Sequence, residues 1–275
     1  DAGGRGLHTA RMRVGIIGLG LIGGSLALAL RERRPGWERV GRDLDPATEQ
    51  HALDTGLIQP GDVHEADLVV LTAPIPALPG LFREFAGHHG VVTDVASTKS
   101  TVLRWAKEAN LDLVGGHPMA GRERGGLANA CPDLFAGAPW VLTRDDASVR
   151  ELATAVGAHP VLFTPERHDE LVAGVSHAAF AVSAAYVLAL GERPGWPDMA
   201  ALAGPGFRDL SRLAGGDPRL HAAIADTNRA ALVEALEGVE RSLRRMREAV
   251  SAGEVEPLLE RARAIRESWE RARTR

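Results

Sequence analysis

Cysteine is almost absent. Cys131 is the only one in 275 residues, which excludes an internal disulfide and gives no support to a cysteine-based zinc site or an oxidising compartment; a cytoplasmic protein is expected. A basic excess is missing too. Lys and Arg number 32 against 36 Asp and Glu, for a net charge of −4 and a pI near 6.2, so no electrostatic footprint exists for a nucleic acid or an anionic membrane to read. The sequence has no internal repeat, no low-complexity tract and no metal-ligand spacing. With 45% apolar and 25% charged residues, disordered, collagen-like and disulfide-scaffold classes are excluded. At ~100–200 residues per domain the length admits two domains at most, and small-molecule chemistry is the starting expectation.

Long uncharged runs are few, and each of the two has an alternative to a membrane or signal role. Residues 14–30 follow Arg11 and Arg13 and imitate a signal peptide, but five glycines interrupt them. Each would weaken an apolar helix by ~1 kcal/mol relative to alanine, whereas a strand followed by a tight turn requires them. Residues 171–190 approach the length of a membrane span, yet carry His177, two serines and seven alanines, which predicts a buried helix instead. Residues 1–11 read as a leader ahead of a start at Met12.

From residue 12 to about 165, short β-rich runs alternate with helical patterns, predicting an α/β fold with a doubly wound parallel sheet. The predicted strands are 13–17, 39–43, 68–72, 90–94, 111–115, 140–143 and 161–164. From 166 to 275 the pattern is helical, with breaks at 191–197, 204–206, 215–218 and 251–257. In this half Leu232, Leu236, Val239, Leu243, Met246 and Val250 are spaced 4, 3, 4, 3, 4, and Leu258, Ala262, Ile265 and Trp269 repeat the seam. An intrachain bundle explains such seams, but ~110 helical residues are marginal alone, which favours a homodimer built on this half.

Gly18-Leu19-Gly20-Leu21-Ile22-Gly23 directly follows the first predicted strand and opens a helix. In that context the first glycine permits the turn, the second lets backbone approach a pyrophosphate and the third lets helix pack on strand, a Rossmann-type fingerprint. The helix N-terminus adds free N–H groups and a positive dipole end. Asp43, twenty residues after Gly23, is placed to accept from both ribose hydroxyls, which favours NAD over NADP; Arg42 beside it is the one feature that argues for a 2′-phosphate. The turn Thr72-Ala73-Pro74 ends another strand and is expected over the cofactor.

Two further segments fall at strand ends on the same edge: Thr93-Asp94-Val95-Ala96-Ser97-Thr98-Lys99 and Gly115-Gly116-His117-Pro118-Met119-Ala120-Gly121. A histidine flanked by glycine and proline is expected on an irregular turn, facing either a ligand or backbone. These segments, together with the glycine fingerprint, Asp43, Glu123, Leu134-Phe135, His168-Asp169, Ser176-His177, Phe207-Arg208-Asp209-Leu210-Ser211-Arg212 and Asp217-Pro218, resemble the prephenate/arogenate dehydrogenase family from about Met12 to Val250. The resemblance implies a Rossmann domain followed by an all-helical dimerisation domain. It also implies NAD-dependent oxidative decarboxylation of prephenate to 4-hydroxyphenylpyruvate in tyrosine biosynthesis, or of arogenate to tyrosine.

Carried over residue by residue, the resemblance makes His117 the base that takes the ring hydroxyl's proton and Ser97 its hydrogen-bonding neighbour, a serine that unaided reads as an N-cap. It makes Arg212 the grip on a substrate carboxylate. Arg208, one turn earlier, repels Arg212 unless an anion sits between them, with Asp209 or Asp217 as alternative partners. Glu123 and His177 are implied at the edge of the substrate pocket. His168-Asp169 reads as a cap at a helix start, although the resemblance places it near the interdomain cleft.

Departures carry weight as well. Phe180 stands where many relatives have a second histidine, so a hydrogen bond to substrate is lost, and His221 replaces a tryptophan found in some members. The sequence has no βαββαβ-like segment at its end and no mutase-like helical extension at its start, so feedback through a separate regulatory domain is not expected. A 3-hydroxyacid dehydrogenase is the enzyme alternative, but it relies on a lysine in the helical half and none follows Lys107. A silent NAD-binding dimer is the non-enzyme alternative, to be discriminated by NADH binding without turnover.

Overall fold

A computed structural model describes residues 11–122 and 124–273. The leader expectation on residues 1–10 and the pocket residue Glu123 therefore lie outside the described residues. Five parallel strands, β1 (Arg13–Ile17), β2 (Glu38–Arg42), β3 (Leu68–Leu71), β4 (Val91–Asp94) and β5 (Leu113–Val114), lie in the order β2-β1-β3-β4-β5. Helices α1 (Leu21–Arg33), α2 (Pro46–Asp54), α3 (Leu78–Glu84) and α4 (Ser100–Glu108) connect and cover them. The period of two sorts the strand side chains. Val14, Ile16, Leu68 and Val70 pack with Leu26 and Leu30 of α1, while Ile17, Val69 and Leu71 pack on the other face with Phe82, Phe85 and Val102. Both faces are buried, which is why these strands read as nearly unbroken apolar runs. The order reverses between β1 and β3, and in open α/β sheets the crevice at such a reversal, at the strands' carboxyl ends, is where ligands bind.

The chain then leaves the parallel sheet. Strands β6 (Gly116–Pro118), β7 (Pro139–Leu142) and β8 (His159–Leu162), with α5 (Ala147–Ala155) between the last two, form a separate sheet in which β6 and β7 are antiparallel. Two sequence expectations are corrected here. The strands near 140 and 161 do not extend the parallel sheet, and His117 sits in a strand, paired with Val141, instead of an irregular turn. The physical reason is local: a Cβ at Gly115 would lie 2.8 Å from Thr143 Oγ1 and one at Gly116 2.5 Å from the Asp94 carbonyl oxygen, so only glycines let the chain cross this close to the end of β4.

Beyond β8 the chain is helical: α6 (Pro165–Val172), a π-helical segment Ala173–His177, α7 (Ala178–Gly191), α8 (Trp196–Ala201), α9 (Pro205–Ser211), a 3₁₀ turn Arg212–Gly215, α10 (Pro218–Thr227), α11 (Arg229–Ala252) and α12 (Glu256–Arg273). The glycine and proline breaks fall where the sequence places them. Residues 171–190 differ from expectation: Pro165–Gly191 is long and apolar enough to cross a membrane by length and composition, yet 28% of its most apolar window is buried, so this chain does not cover the helix it was expected to bury. The heptad seams are uncovered as well. Leu243 and Val250 of α11 and Ile265 of α12 are each more than 60% exposed, so the single chain is not the intrachain bundle weighed above.

Residues 98–101 join the two halves. Thr98 Oγ1 donates to Thr227 Oγ1 at 2.9 Å, Thr101 Oγ1 to the Thr227 carbonyl at 3.0 Å, and Asn228 Nδ2 to the Asp169 carbonyl at 2.8 Å.

Candidate active site

The glycine loop between β1 and α1 is built for a dinucleotide. Gly18 holds φ +99°, a conformation that side-chain-bearing residues rarely adopt, and a Cβ at Gly23 would lie 1.9 Å from the Gly18 carbonyl oxygen. Gly20 is the N-cap of α1, makes no side-chain cap, and has open space where a Cβ would stand. The first N–H groups of α1, with Leu21 and Ile22 in its first turn, thus face a clear approach, which suits a pyrophosphate. The Thr72 hydroxyl, shared between the Ile17 and Gly18 carbonyls, ties the end of β3 to the loop, while Ala73 and the exposed Pro74 continue the turn beside it.

Asp43 follows β2 and meets the same loop. Its Oδ2 accepts from Leu19 N at 2.6 Å and its Oδ1 from Asp45 N at 2.9 Å. A carboxylate has about four acceptor positions, so capacity remains for ribose hydroxyls. Arg42 points elsewhere: its guanidinium pairs with Glu84 at 2.8 Å, and His64 reaches the same carboxylate at 3.2 Å.

At the ends of β4 and β6 lies a buried polar cluster. Lys99, fully buried, donates to Asp94 and, at 2.6 Å, to the Gly116 carbonyl, while Asp94 accepts from Gly116 N at 3.1 Å and Ala96 N at 2.9 Å. Both polar groups of the Gly116 peptide unit ends are thus gripped by one ion pair, which fixes the residue before His117. The His117 Nδ1 lies 2.8 Å from His168 Nε2, and His168 Nδ1 lies 2.8 Å from Asp169 Oδ1. Asp169 in turn accepts from Lys99 N at 2.7 Å and Ser100 N at 2.8 Å, satisfying two of the open N–H groups at the start of α4.

The expectation that His168-Asp169 is a local cap is therefore wrong in an informative way. Thr164 caps α6, accepting from Arg167 N, whereas Asp169 caps a helix of the other half. Ser97 does not cap α4 either; Lys99 is the N-cap residue, and Ser97 lies half-buried two positions earlier, its main chain beside the His177 ring.

Electrostatics keep His117 and His177 neutral. Burial, then His168, Lys99 and His177, hold His117 well below the ordinary histidine range. Burial takes His177 down to about 4 despite Asp169 nearby. Burial pushes the Asp169 carboxyl up, but hydrogen bonds from His168 and the Ser100 and Lys99 main chain outweigh it and hold the group below its usual value. His177 Nδ1 lies 3.3 Å from Asn228 Nδ2, and its Nε2 is buried without a well-formed hydrogen bond among the described residues. Such an atom costs free energy unless something pairs with it.

The arginines lie on a more open surface. Arg208 pairs with Asp209 at 3.5 Å, both three-quarters exposed, which is one of the two alternatives the sequence allowed. Helix α9 ends at Ser211, and Arg212 opens the 3₁₀ turn, positioned by Ser183, whose Oγ donates to the Leu210 carbonyl and accepts from Ala214 N. The two departures, Phe180 and His221, stack on one another, ring centroids 3.3 Å apart and 6° from parallel. Sequence reasoning missed the roles of Lys99, His168, Asp169 and Asn228. The available signal for the middle pair was their position: His168 and Val172 share the core-facing stripe of a short helix, where a polar residue requires a partner.

Comparison with known proteins fits this geometry. Residues 26–162 match a family model described as the prephenate dehydrogenase nucleotide-binding domain, and residues 164–264 one described as the prephenate dehydrogenase dimerization domain. A prephenate dehydrogenase of Bacillus subtilis is 34% identical over 227 residues, 74% of this chain, which spans 61% of that relative's length. The crystal structure of Synechocystis arogenate dehydrogenase is 31% identical with a TM-score of 0.79, covering 94% of this chain and 100% of that one. That of prephenate dehydrogenase from Aquifex aeolicus, in complex with hydroxyphenyl propionate and NAD+, is 28% identical with a TM-score of 0.86 over 96% and 99%. A glycine cradle with its carboxylate, a buried neutral histidine at the adjoining sheet edge and agreement over both halves lead to one assignment: the chain belongs to the prephenate/arogenate dehydrogenase family.

Proposed function

We propose that the protein is an NAD-dependent prephenate dehydrogenase, converting prephenate to 4-hydroxyphenylpyruvate by oxidative decarboxylation in tyrosine biosynthesis. The observation that carries this reading is His117, a neutral imidazole held at the carboxyl end of β4 with one ring nitrogen committed to His168. Bound NAD supplies the hydride acceptor for the ring carbon that bears the hydroxyl. The loop of Gly18, Gly20, Leu21, Ile22 and Gly23 would hold its pyrophosphate, Asp43 its ribose hydroxyls, with Thr72, Ala73 and Pro74 supporting the loop edge.

His117 Nε2 takes the hydroxyl proton, with Ser97 as its hydrogen-bonding neighbour. Loss of carbon dioxide restores aromaticity, so the driving force lies in the substrate and the protein's part is to position and polarise. Arg212 pairs with a substrate carboxylate, Arg208 adds positive charge and His177 lies beside the Ser97 main chain; Glu123 keeps the pocket-edge role that the family resemblance implies. The 12–165 and 166–275 segments serve as cofactor and substrate/dimerisation domains. A homodimer through the helical half covers the exposed faces of α7, α11 and α12, and the enzyme acts in the cytoplasm.

The test is reduced-nicotinamide absorbance with prephenate and arogenate, each with NAD and NADP. Turnover of prephenate with NAD is expected. Turnover of arogenate alone would establish the second reading, which the similarity to the Synechocystis arogenate dehydrogenase favours. Silence with all four, in folded dimeric protein, would overturn both.

Asp43→Ala tests the cofactor half separately. It removes the acceptor of Leu19 N as well as the negative charge facing a 2′-phosphate. NADH affinity should fall about tenfold and the preference over NADPH should shrink by a similar factor, read by titration of reduced-nucleotide fluorescence. An unaltered NADH/NADPH ratio would remove Asp43 from cofactor selection.

A further inference from the structure

The Asp169 carboxylate accepts two main-chain N–H groups and is held ionised, so it has no proton to give, and His168 Nδ1 must carry the proton of their 2.8 Å contact. With a single ring proton, held on Nδ1 by Asp169, His168 has a bare Nε2 that can only accept. The 2.8 Å contact to His117 Nδ1 therefore fixes the His117 proton on Nδ1 and leaves Nε2 as its basic nitrogen. The rings meet edge to face, centroids 5.1 Å apart at 79°, and both are almost wholly buried, so neither can turn over without breaking the chain of bonds.

We propose that His168 and Asp169 are positioning residues that hold His117 in the Nδ1–H tautomer and so keep its Nε2 free to take a proton. This deepens the reading of His117 as the base and rests on it. The pair comes from α6, in the helical half, while His117 comes from β6, so the tautomer is set across the junction between the halves. The other groups facing these rings are Lys99, paired with Asp94 and disfavouring a charge on His117, His177, neutral above about pH 4, and Asn228, which bonds the Asp169 carbonyl rather than its carboxylate. Protonation of His168 would reverse the bond: both of its nitrogens would then donate, His117 Nδ1 would have to accept, and the proton would move to Nε2 where the base is needed.

Three variants and one spectroscopic measurement test this. In cofactor-free protein labelled with ¹⁵N-histidine, the His117 resonances, identified by their loss in His117→Asn, should show a protonated Nδ1 and a bare Nε2 at neutral pH. His168→Phe removes the acceptor, so the His117 proton should move to Nε2 and kcat should fall ~10²-fold or more, as when a base is left in the wrong tautomer. His168→Gln offers an amide oxygen near the lost Nε2 and should restore kcat to within about tenfold of the parent. KM for prephenate and the NADH dissociation constant should stay within about twofold in both.

A wild-type His117 protonated on Nε2 would overturn the proposal, as would equal kcat for the Phe and Gln variants. The parent reading fails separately. If His117→Asn keeps full kcat, the base assignment falls; if that variant is inactive while His168→Phe is unaffected, only the positioning role falls.

Discussion

His117→Asn is expected to lower kcat by ~10²–10⁴, with NAD affinity nearly unchanged, because it removes the proposed proton acceptor and leaves the glycine cradle untouched. Asn approximates the ring near Nδ1 and can still donate to His168 Nε2, so the buried cluster keeps its bond and the loss reads on chemistry. Stopped-flow formation of reduced nicotinamide at saturating substrate is the measurement, and a kcat within threefold of the parent would exclude His117 as the base. The pH dependence has a definite sign. Burial, then His168, Lys99 and His177, lower the His117 pKa, so the imidazole is neutral through the ordinary histidine range. Activity should therefore persist through the ordinary histidine range and fall only at more acid pH. A limb centred above pH 6.5 would contradict that environment.

Lys99→Met is expected to destabilise the protein by about 3–5 kcal/mol, the usual cost of leaving one partner of a buried ion pair uncompensated. The surroundings make the case specific. Lys99 and Asp94 are both fully buried, and between them they hold the Gly116 N–H and carbonyl that anchor β6. Urea unfolding followed by circular dichroism gives the number. The double variant Asp94→Asn with Lys99→Met should recover part of the loss, since no lone charge is then buried. A single-variant cost below ~1 kcal/mol would mean that water or a structural shift relieves the carboxylate.

The cofactor half was largely legible because its signals are local. Gly18 is required by its φ and Gly23 by close contacts to Gly18 and Thr72, Gly20 leaves open space at the helix start, and Asp43 sits one strand away at a fixed interval. Helix ends in the second half were legible for the same reason, since Gly191, Pro205 and Pro218 punctuate the chain where they stand. Strand β6 was not. Three residues reading Gly-His-Pro have no alternation to detect, and their strand state comes from Trp140 and Val141 opposite. Nor was the His117–His168–Asp169 chain legible, because its members are 51 residues apart and a His-Asp pair near a helix start resembles a cap in sequence. The exposure of α7 was misjudged for a related reason: apolar composition predicts that a helix is covered, but not by which molecule.

The Asp169 cap on α4 also limits how this architecture can be recombined. A crossover near residue 163 cuts between the two halves in sequence, yet it separates Lys99 and Ser100 from the carboxylate that satisfies their N–H groups, and His117 from the imidazole that orients it. A chimera drawing its helical half from a sequence lacking an acid at 169 would expose two buried donors at once. Residues 98–101, 117, 168–169 and 227–228 thus form a single unit of inheritance spread over two domains, and shuffling succeeds only where all of them travel together.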